Sequence, residues 1–149
     1  MLHKLNIDLD YLLFAWQDDS QQSSYYLDTD TGSVVLVTRD LDDLDELRQE
    51  IELQPARFLY VPKLSDDQKL LDLTDFIFTV PDQKLKAMME VACEGRDPFG
   101  ACRTIMGQHP EELARWKTWQ QDAAKERVRK WLAAHDLCAD SAGDSYGKD

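Results

Sequence analysis

The sequence predicts an α+β fold: a small antiparallel sheet, made of a hairpin plus a third strand, packed by a predominantly helical C-terminal half. Three observations carry this. Two β-rich runs, Tyr25-Tyr26-Leu27 and Val34-Val35-Leu36-Val37, flank the turn segment Asp28-Thr29-Asp30-Thr31-Gly32. A third short apolar run, residues 57–61, stops at Pro62. From Ser65 onward the chain reads only as helices separated by proline and glycine stops.

Taken in order, residues 7–16 place Ile7, Leu9, Leu12, Leu13 and Trp16 in a short amphipathic helix or buried segment, with helix and strand both open. Residues 20–24 form a polar loop. In the hairpin, Asp28 at the turn entry and Gly32 near its exit suit a type I turn closed by a left-handed residue. Asp28-x-Asp30 also opens like a calcium loop. The sixth position is not glycine, however, and Arg39 stands where the bidentate glutamate would be, so no metal is expected.

Asp40 caps a helix over residues 41–53, in which Leu41, Leu44, Leu47 and Ile51 recur at helical spacing. Asp42, Asp43, Asp45 and Glu46 cluster at its start, where the helix dipole favours negative charge. Ser65-Asp66-Asp67-Gln68 is a capping box. The helix it opens carries Leu70, Leu71, Leu73, Thr74, Ile77 and Phe78 on one broad stripe, and Pro81 ends it. Asp82 caps the next helix, through Leu85, Met88, Met89 and Ala92, stopped by Gly95 in a left-handed conformation. Residues 98–106 form a short helix, and His109-Pro110-Glu111-Glu112 starts a long one reaching about residue 135. Residues 138–149 are rich in Ser, Gly and Asp and are expected to fray as a disordered tail. No linker or repeat divides residues 1–137, which read as one α+β domain.

The formal net charge is −12. Residues 1–97 hold 9 Lys/Arg against 21 Asp/Glu, while residues 98–149 hold 8 of each. Within residues 103–130 the balance turns positive, 7 against 4. An acidic body repels nucleic acid and anionic membrane at long range, although a local basic face binds at short range. No apolar run reaches the roughly 18–20 residues needed to cross a bilayer. The N-terminus lacks a secretory pattern, and Cys93, Cys102 and Cys138 form an odd set without metal-ligand spacing. These features point to the cytoplasm and to reduced thiols. A cysteine nucleophile would take His109 or His135 as its base, but no local pattern selects one.

A set of ordered motifs carries a family likeness. It begins Tyr26-Leu27-Asp28-x-x-Thr31-Gly32-x-Val34-Val35, then Val61-Pro62 and Asp75-Phe76-Ile77-x-Thr79-Val80. Gly95-Arg96-x-x-Phe99, Pro110, Trp116 and Trp131-Leu132 follow. In this order and spacing the chain resembles uncharacterised protein family 0158, a bacterial family of small cytosolic proteins. The resemblance spans about residues 25–132 and implies a shared fold and bacterial origin, with no activity attached. One departure stands out. Where the family pattern continues after its first aromatic with two basic residues and a second aromatic, this chain has Gly100, Ala101 and Cys102 before Arg103.

Two segments are candidate sites. In Gly95-Arg96-Asp97-Pro98-Phe99, Arg96 offers a planar fork for a carboxylate or phosphate beside a helix start; the plain alternative is a helix connection with Phe99 in the core. Projected at 100° per residue, the last helix puts Leu113, Trp116, Ala123, Ala124, Val128 and Trp131 on one face, with Gln120 and Arg127 inside it. A charge on an apolar stripe must be paired, for Arg127 with an acid such as Asp75 or Asp28, or must stand at a cleft. The leading expectation is a non-catalytic binding or regulatory module for a protein partner, using Arg96, Phe99, Trp116 and Arg127. The alternative is a nucleic-acid-associated protein using Arg103, Arg115, Lys117, Lys125, Arg129 and Lys130, with Trp119 for stacking. An enzyme of unidentified class is third, since no HExxH, GxSxG, P-loop or GxGxxG occurs. No cofactor is expected.

Overall fold

The computed structural model describes residues 3–39 and 43–139. Its elements run β1 (His3–Leu5), α1 (Leu9–Gln17), β2 (Ser23–Asp28), β3 (Val34–Thr38), α2 (Leu44–Leu53), β4 (Phe58–Tyr60), α3 (Asp66–Phe78), α4 (Gln83–Ala92), α5 (Pro98–Met106), α6 (Pro110–Ala134) and β5 (Leu137–Ala139). The chain divides into two compact units, one of Met1–Lys63 with Ala124–Asp149 and one of Leu64–Ala123. The fold is α+β, with a small antiparallel sheet and a helical C-terminal half.

In the first unit the sheet order is β3-β2-β4, antiparallel throughout. Tyr25 lies opposite Leu36, and Leu27 opposite both Val34 and Leu59, so these side chains share one face. That face joins Leu9, Leu12, Leu13 and Ala15 of α1 and Ala124, Val128 and Leu132 of α6 in a single apolar cluster. The opposite face, with Tyr26, Val35, Val37 and Phe58, packs with Leu44, Leu47 and Ile51 of α2. A sheet covered on both faces needs continuous apolar runs rather than alternation, and the two predicted hairpin strands have that pattern.

The hairpin turn follows the expected chemistry. Gly32 has φ +83° and its N–H donates to the Asp28 carbonyl at 2.7 Å. The Asp28 carboxylate accepts from the Asp30 N–H at 2.9 Å. It also receives both Nε (2.9 Å) and a terminal nitrogen (2.8 Å) of Arg57, the residue before β4. Asp28 is 5% exposed. The Arg57 guanidinium holds its carboxyl well below the usual range, to about 2, against the opposing effect of burial; the Asp30 N–H and the Thr31 hydroxyl help.

Of the segment left open, Leu9–Gln17 is a helix; Asp8 caps it, its carboxylate accepting from the Tyr11 N–H at 3.1 Å. At the far end of α1, Asp18 accepts from the Tyr25 hydroxyl, and Lys63 donates to the Ser20 carbonyl at 2.8 Å. The Tyr25 hydroxyl, then the Ser20 N–H, hold the Asp18 carboxyl below its ordinary value.

The second unit is a helical cluster around Leu73, Phe76, Ile77, Leu85, Met89, Cys102 and Met106. Its helices start where the capping residues stand. Ser65 Oγ accepts from the Gln68 N–H at 3.1 Å, and Asp82 from the N–H groups of Lys84 and Leu85. Asp97 accepts from the Gly100 N–H at 3.0 Å. The Gln68 amide donates to Asp72 at 3.0 Å, along its own helix.

Some expectations change. The helix expected over 41–53 starts at Leu44, after Asp43; its foreseen cap Asp40, with Leu41 and Asp42, lies outside the described residues. Gly95 is not left-handed, since Gly32 and Asp136 are the positive-φ positions among the described residues. Cys138 and Ala139, read as the start of the tail, instead pair in parallel with Lys4 and Leu5; residues 140–149 lie outside the described residues. The His3 N–H donates to the Asp136 carbonyl at 2.7 Å, which begins this ladder. The three-residue strands at the two ends lack the run of β-branched and aromatic residues bounded by a proline stop that marks β4.

Two outcomes follow. A Cβ on Gly32 would sit 2.0 Å from the Asn6 carbonyl oxygen, at a φ that disfavours any side chain. Gly32→Ala is expected to destabilise by roughly 3 kcal/mol and to lower the melting temperature by about 10 °C, read by thermal denaturation. Because the Asp28 carboxyl is depressed in the folded state, its contribution is complete above about pH 4 and is lost as pH falls through about 2. Urea titrations across that window should show a loss of roughly 2 kcal/mol in the wild type and a shallower pH slope in Asp28→Asn.

Candidate functional site

Within the second unit, α3 buries Leu73, Phe76 and Ile77, and Val80 just beyond it is buried in the same cluster. Helical spacing then turns Asp67, Leu71, Thr74 and Phe78 away from that core along one stripe. Leu71 is 52% and Phe78 76% exposed. Beside them Thr74, Ile77 and Phe78 line a groove of about 170 Å³ with Glu90 and Cys93 of α4. Lys86 Nζ stands 4.6 Å from the Phe78 ring centroid. Met88 and Val91 add exposed apolar surface on α4. The unit as a whole holds 7 Lys/Arg against 11 Asp/Glu, and Asp67, Asp75, Glu90 and Glu94 are exposed on α3, α4 and the turn after it.

Cys93, which lines the groove, has a second thiol, Cys102, behind it in the core. Cys93 is the C-cap residue of α4 and half-buried, whereas Cys102 of α5 is fully buried. Their sulfurs are 3.9 Å apart, and Cys102 Sγ lies 3.7 Å from the Met89 carbonyl. Burial pushes the Cys102 thiol up to about 12 and raises Cys93 as well. Each thiol therefore has the other as its neighbour, not an imidazole, and neither has the depressed pKa of a catalytic cysteine.

Arg96 is exposed in the α4–α5 connection. Phe99 and Trp116 are half-buried and pack against the core of the second unit, so their rings serve packing there. Trp116 lies 5.1 Å from Phe76, centroid to centroid. Arg127 belongs to the other unit and is half-buried. Asp28, a foreseen partner for it, is taken by Arg57. Gln120 is exposed rather than on a buried face. The apolar stripe of α6 changes partner along its length. Leu113, Trp116 and Trp119 pack on the second unit, whereas Ala124, Val128 and Leu132 pack on the first.

Three of the basic residues of α6, Arg115, Arg129 and Lys130, stand beside acids of the same helix. Glu112 chelates Arg115 at 3.0 Å through both carboxylate oxygens, and the guanidinium also covers Phe76 and donates to the Thr79 hydroxyl at 3.1 Å. Glu126 chelates Arg129 and lies 3.9 Å from Lys130. Trp119 packs edge-on against Phe76 at 5.7 Å. Arg103 and Lys117 are exposed. Among the described residues, no group of three or more His, Cys, Asp or Glu side chains could hold a metal ion, and no helix is long and apolar enough to cross a membrane.

The exposed stripe and the thiol pair escaped sequence reading for one reason: both need the packing partner of each helix to be known. The only available signal was the excess width of the apolar stripe on residues 70–78, too broad for one buried face.

Comparison with known proteins gives relatives along nearly the whole chain. A protein of Pseudomonas aeruginosa is 31% identical over 136 residues, covering 91% of this chain and 87% of the relative. Relatives from Chlamydia pneumoniae and Chlamydia trachomatis are each 22% identical over 127 residues, and there the match spans 38% of the longer chlamydial proteins. No solved structure matches significantly. The model of Uncharacterised protein family (UPF0158) matches residues 3–143, and the chain belongs to that family.

Proposed function

We propose that the chain is a non-catalytic binding or regulatory module of the bacterial cytoplasm, recognising a protein partner through the exposed stripe of α3 and the groove beside it. One observation carries this reading: Leu71 and Phe78 stand more than half exposed on one stripe, with the groove of Thr74, Ile77, Phe78, Glu90 and Cys93 alongside. Leaving large apolar side chains together in water forgoes burial worth roughly 1.5–3 kcal/mol each, and such patches mark interaction surfaces.

The rim supplies the chemistry of the partner. Asp67 and Asp75 flank the stripe on α3, and Glu90 lines the groove. The fitting occupant is an amphipathic helix with apolar anchors at helical spacing and Lys or Arg beside them. Arg96 stays a candidate rim residue, while the rings of Phe99 and Trp116 pack against the core of the same unit.

The test is capture of binding proteins from bacterial lysate on immobilised wild type, Leu71→Asp and Phe78→Asp, with and without nuclease, read by mass spectrometry. Both side chains are exposed, so each variant should keep the wild-type melting temperature. The reading expects proteins that survive nuclease, fall at least about tenfold with either variant, and elute at raised salt. Capture that is unchanged in both variants, or that collapses with nuclease, overturns it; the second outcome points to nucleic acid.

A further inference from the structure

The two thiols of the second unit are nine residues apart in sequence, and the α4–α5 connection brings them together. Their sulfurs are 3.9 Å apart, against about 2 Å in a disulfide, so closure asks for an approach of about 2 Å. Cys93 is placed to make that movement. It is the C-cap residue of α4, where the helix has ended and the side chain lines an open groove. Cys102 is fully enclosed among Leu73, Phe76, Leu85 and Met89, so a small oxidant meets Cys93 first. Cys138 belongs to the other unit and is not a neighbour in this cluster.

We propose that Cys93 and Cys102 are a modification site for small peroxides, with Cys93 the thiol that is oxidised first and Cys102 the resolving one. In the first step the Cys93 sulfur attacks one oxygen of hydrogen peroxide, breaking the O–O bond to give a sulfenic acid and water. In the second, the Cys102 sulfur attacks the sulfenic sulfur, the S–S bond forms, and the hydroxyl leaves as a second water. The balance is two thiols and one peroxide to one disulfide and two waters, with both electrons leaving the sulfurs. The raised thiol pKa values make the first step slow compared with a dedicated peroxidase, since the thiolate is the nucleophile. The enclosed partner protects Cys93 from further oxidation by trapping the sulfenic acid within the core.

The experiment treats the full-length protein with hydrogen peroxide, alone and with dimedone, and maps non-reduced peptides by mass spectrometry. The expected product in the wild type is a Cys93–Cys102 disulfide within one molecule, reversed by dithiothreitol. Cys102→Ala should accumulate the dimedone adduct on Cys93 several-fold above wild type, and Cys93→Ser should form neither disulfide nor adduct at Cys102. Melting curves of both variants establish that they fold; should Cys102→Ala unfold, Cys102→Val fills the same volume and serves in its place. An unoxidised pair, a disulfide through Cys138, a bond between two molecules, or oxidation of Cys102 in Cys93→Ser at the wild-type rate would each overturn the assignment.

Discussion

The sheet of the first unit depends on the buried carboxylate of Asp28. That residue ends β2, the central strand, and its side chain reaches both neighbours of the turn. Its carboxylate accepts the Asp30 N–H inside the turn and the two parallel bonds from Arg57 at the entry of β4. One group thus sets the hairpin turn and the point where the third strand joins. A bidentate pair resists rotation as well as separation, so it fixes register in addition to attraction. Burial makes the arrangement strict: a carboxylate at 5% exposure without its guanidinium would be an uncompensated charge. With β2 held in this way, Tyr25 and Leu27 face one layer and Tyr26 the other, and both apolar clusters of the unit follow.

The second unit is organised by local chemistry. Ser65, Asp82 and Asp97 each satisfy N–H groups at a helix start, and prolines stand beside those starts. What this local code does not determine is how many faces of a helix are covered. On α3 the apolar residues occupy more of the circumference than the core uses. Leu73, Phe76 and Ile77 are inside, and Leu71 and Phe78 remain in water. A surplus of this kind is the physical basis of the binding surface proposed here.

Charge has a similar division of labour. The acids at the start of α2 lie where the helix dipole stabilises them, and among the described residues Asp45 and Glu46 occupy its first turn. In the positive stretch of the last helix, Glu112 and Glu126 chelate arginines three residues further on. Cations outnumber acids there, yet the spacing of three makes Arg115 and Arg129 neighbours of acids. Arg115, Arg129 and Lys130 are thus partly offset by acids of their own helix.

The sequence by itself determined the α+β class, the hairpin and its turn, the third strand, the five helices from residue 41 on, and the family. These are short-range matters: a glycine that must take φ +83°, a serine or aspartate one step before a helix, a proline at its first turn. It left residues 7–16 open between helix and strand until the Asp8 cap decided for the helix. Only the tertiary structure decided the parallel pairing of His3–Leu5 with Leu137–Ala139, the Asp28–Arg57 pair, and the meeting of Cys93 with Cys102. The same holds for the candidate surface. A single projection of α6 assumes one partner along its whole length, whereas the helix serves two cores and its buried side changes between Trp119 and Ala124. Periodicity records which residues avoid water; which neighbour receives them depends on contacts between residues far apart in the chain.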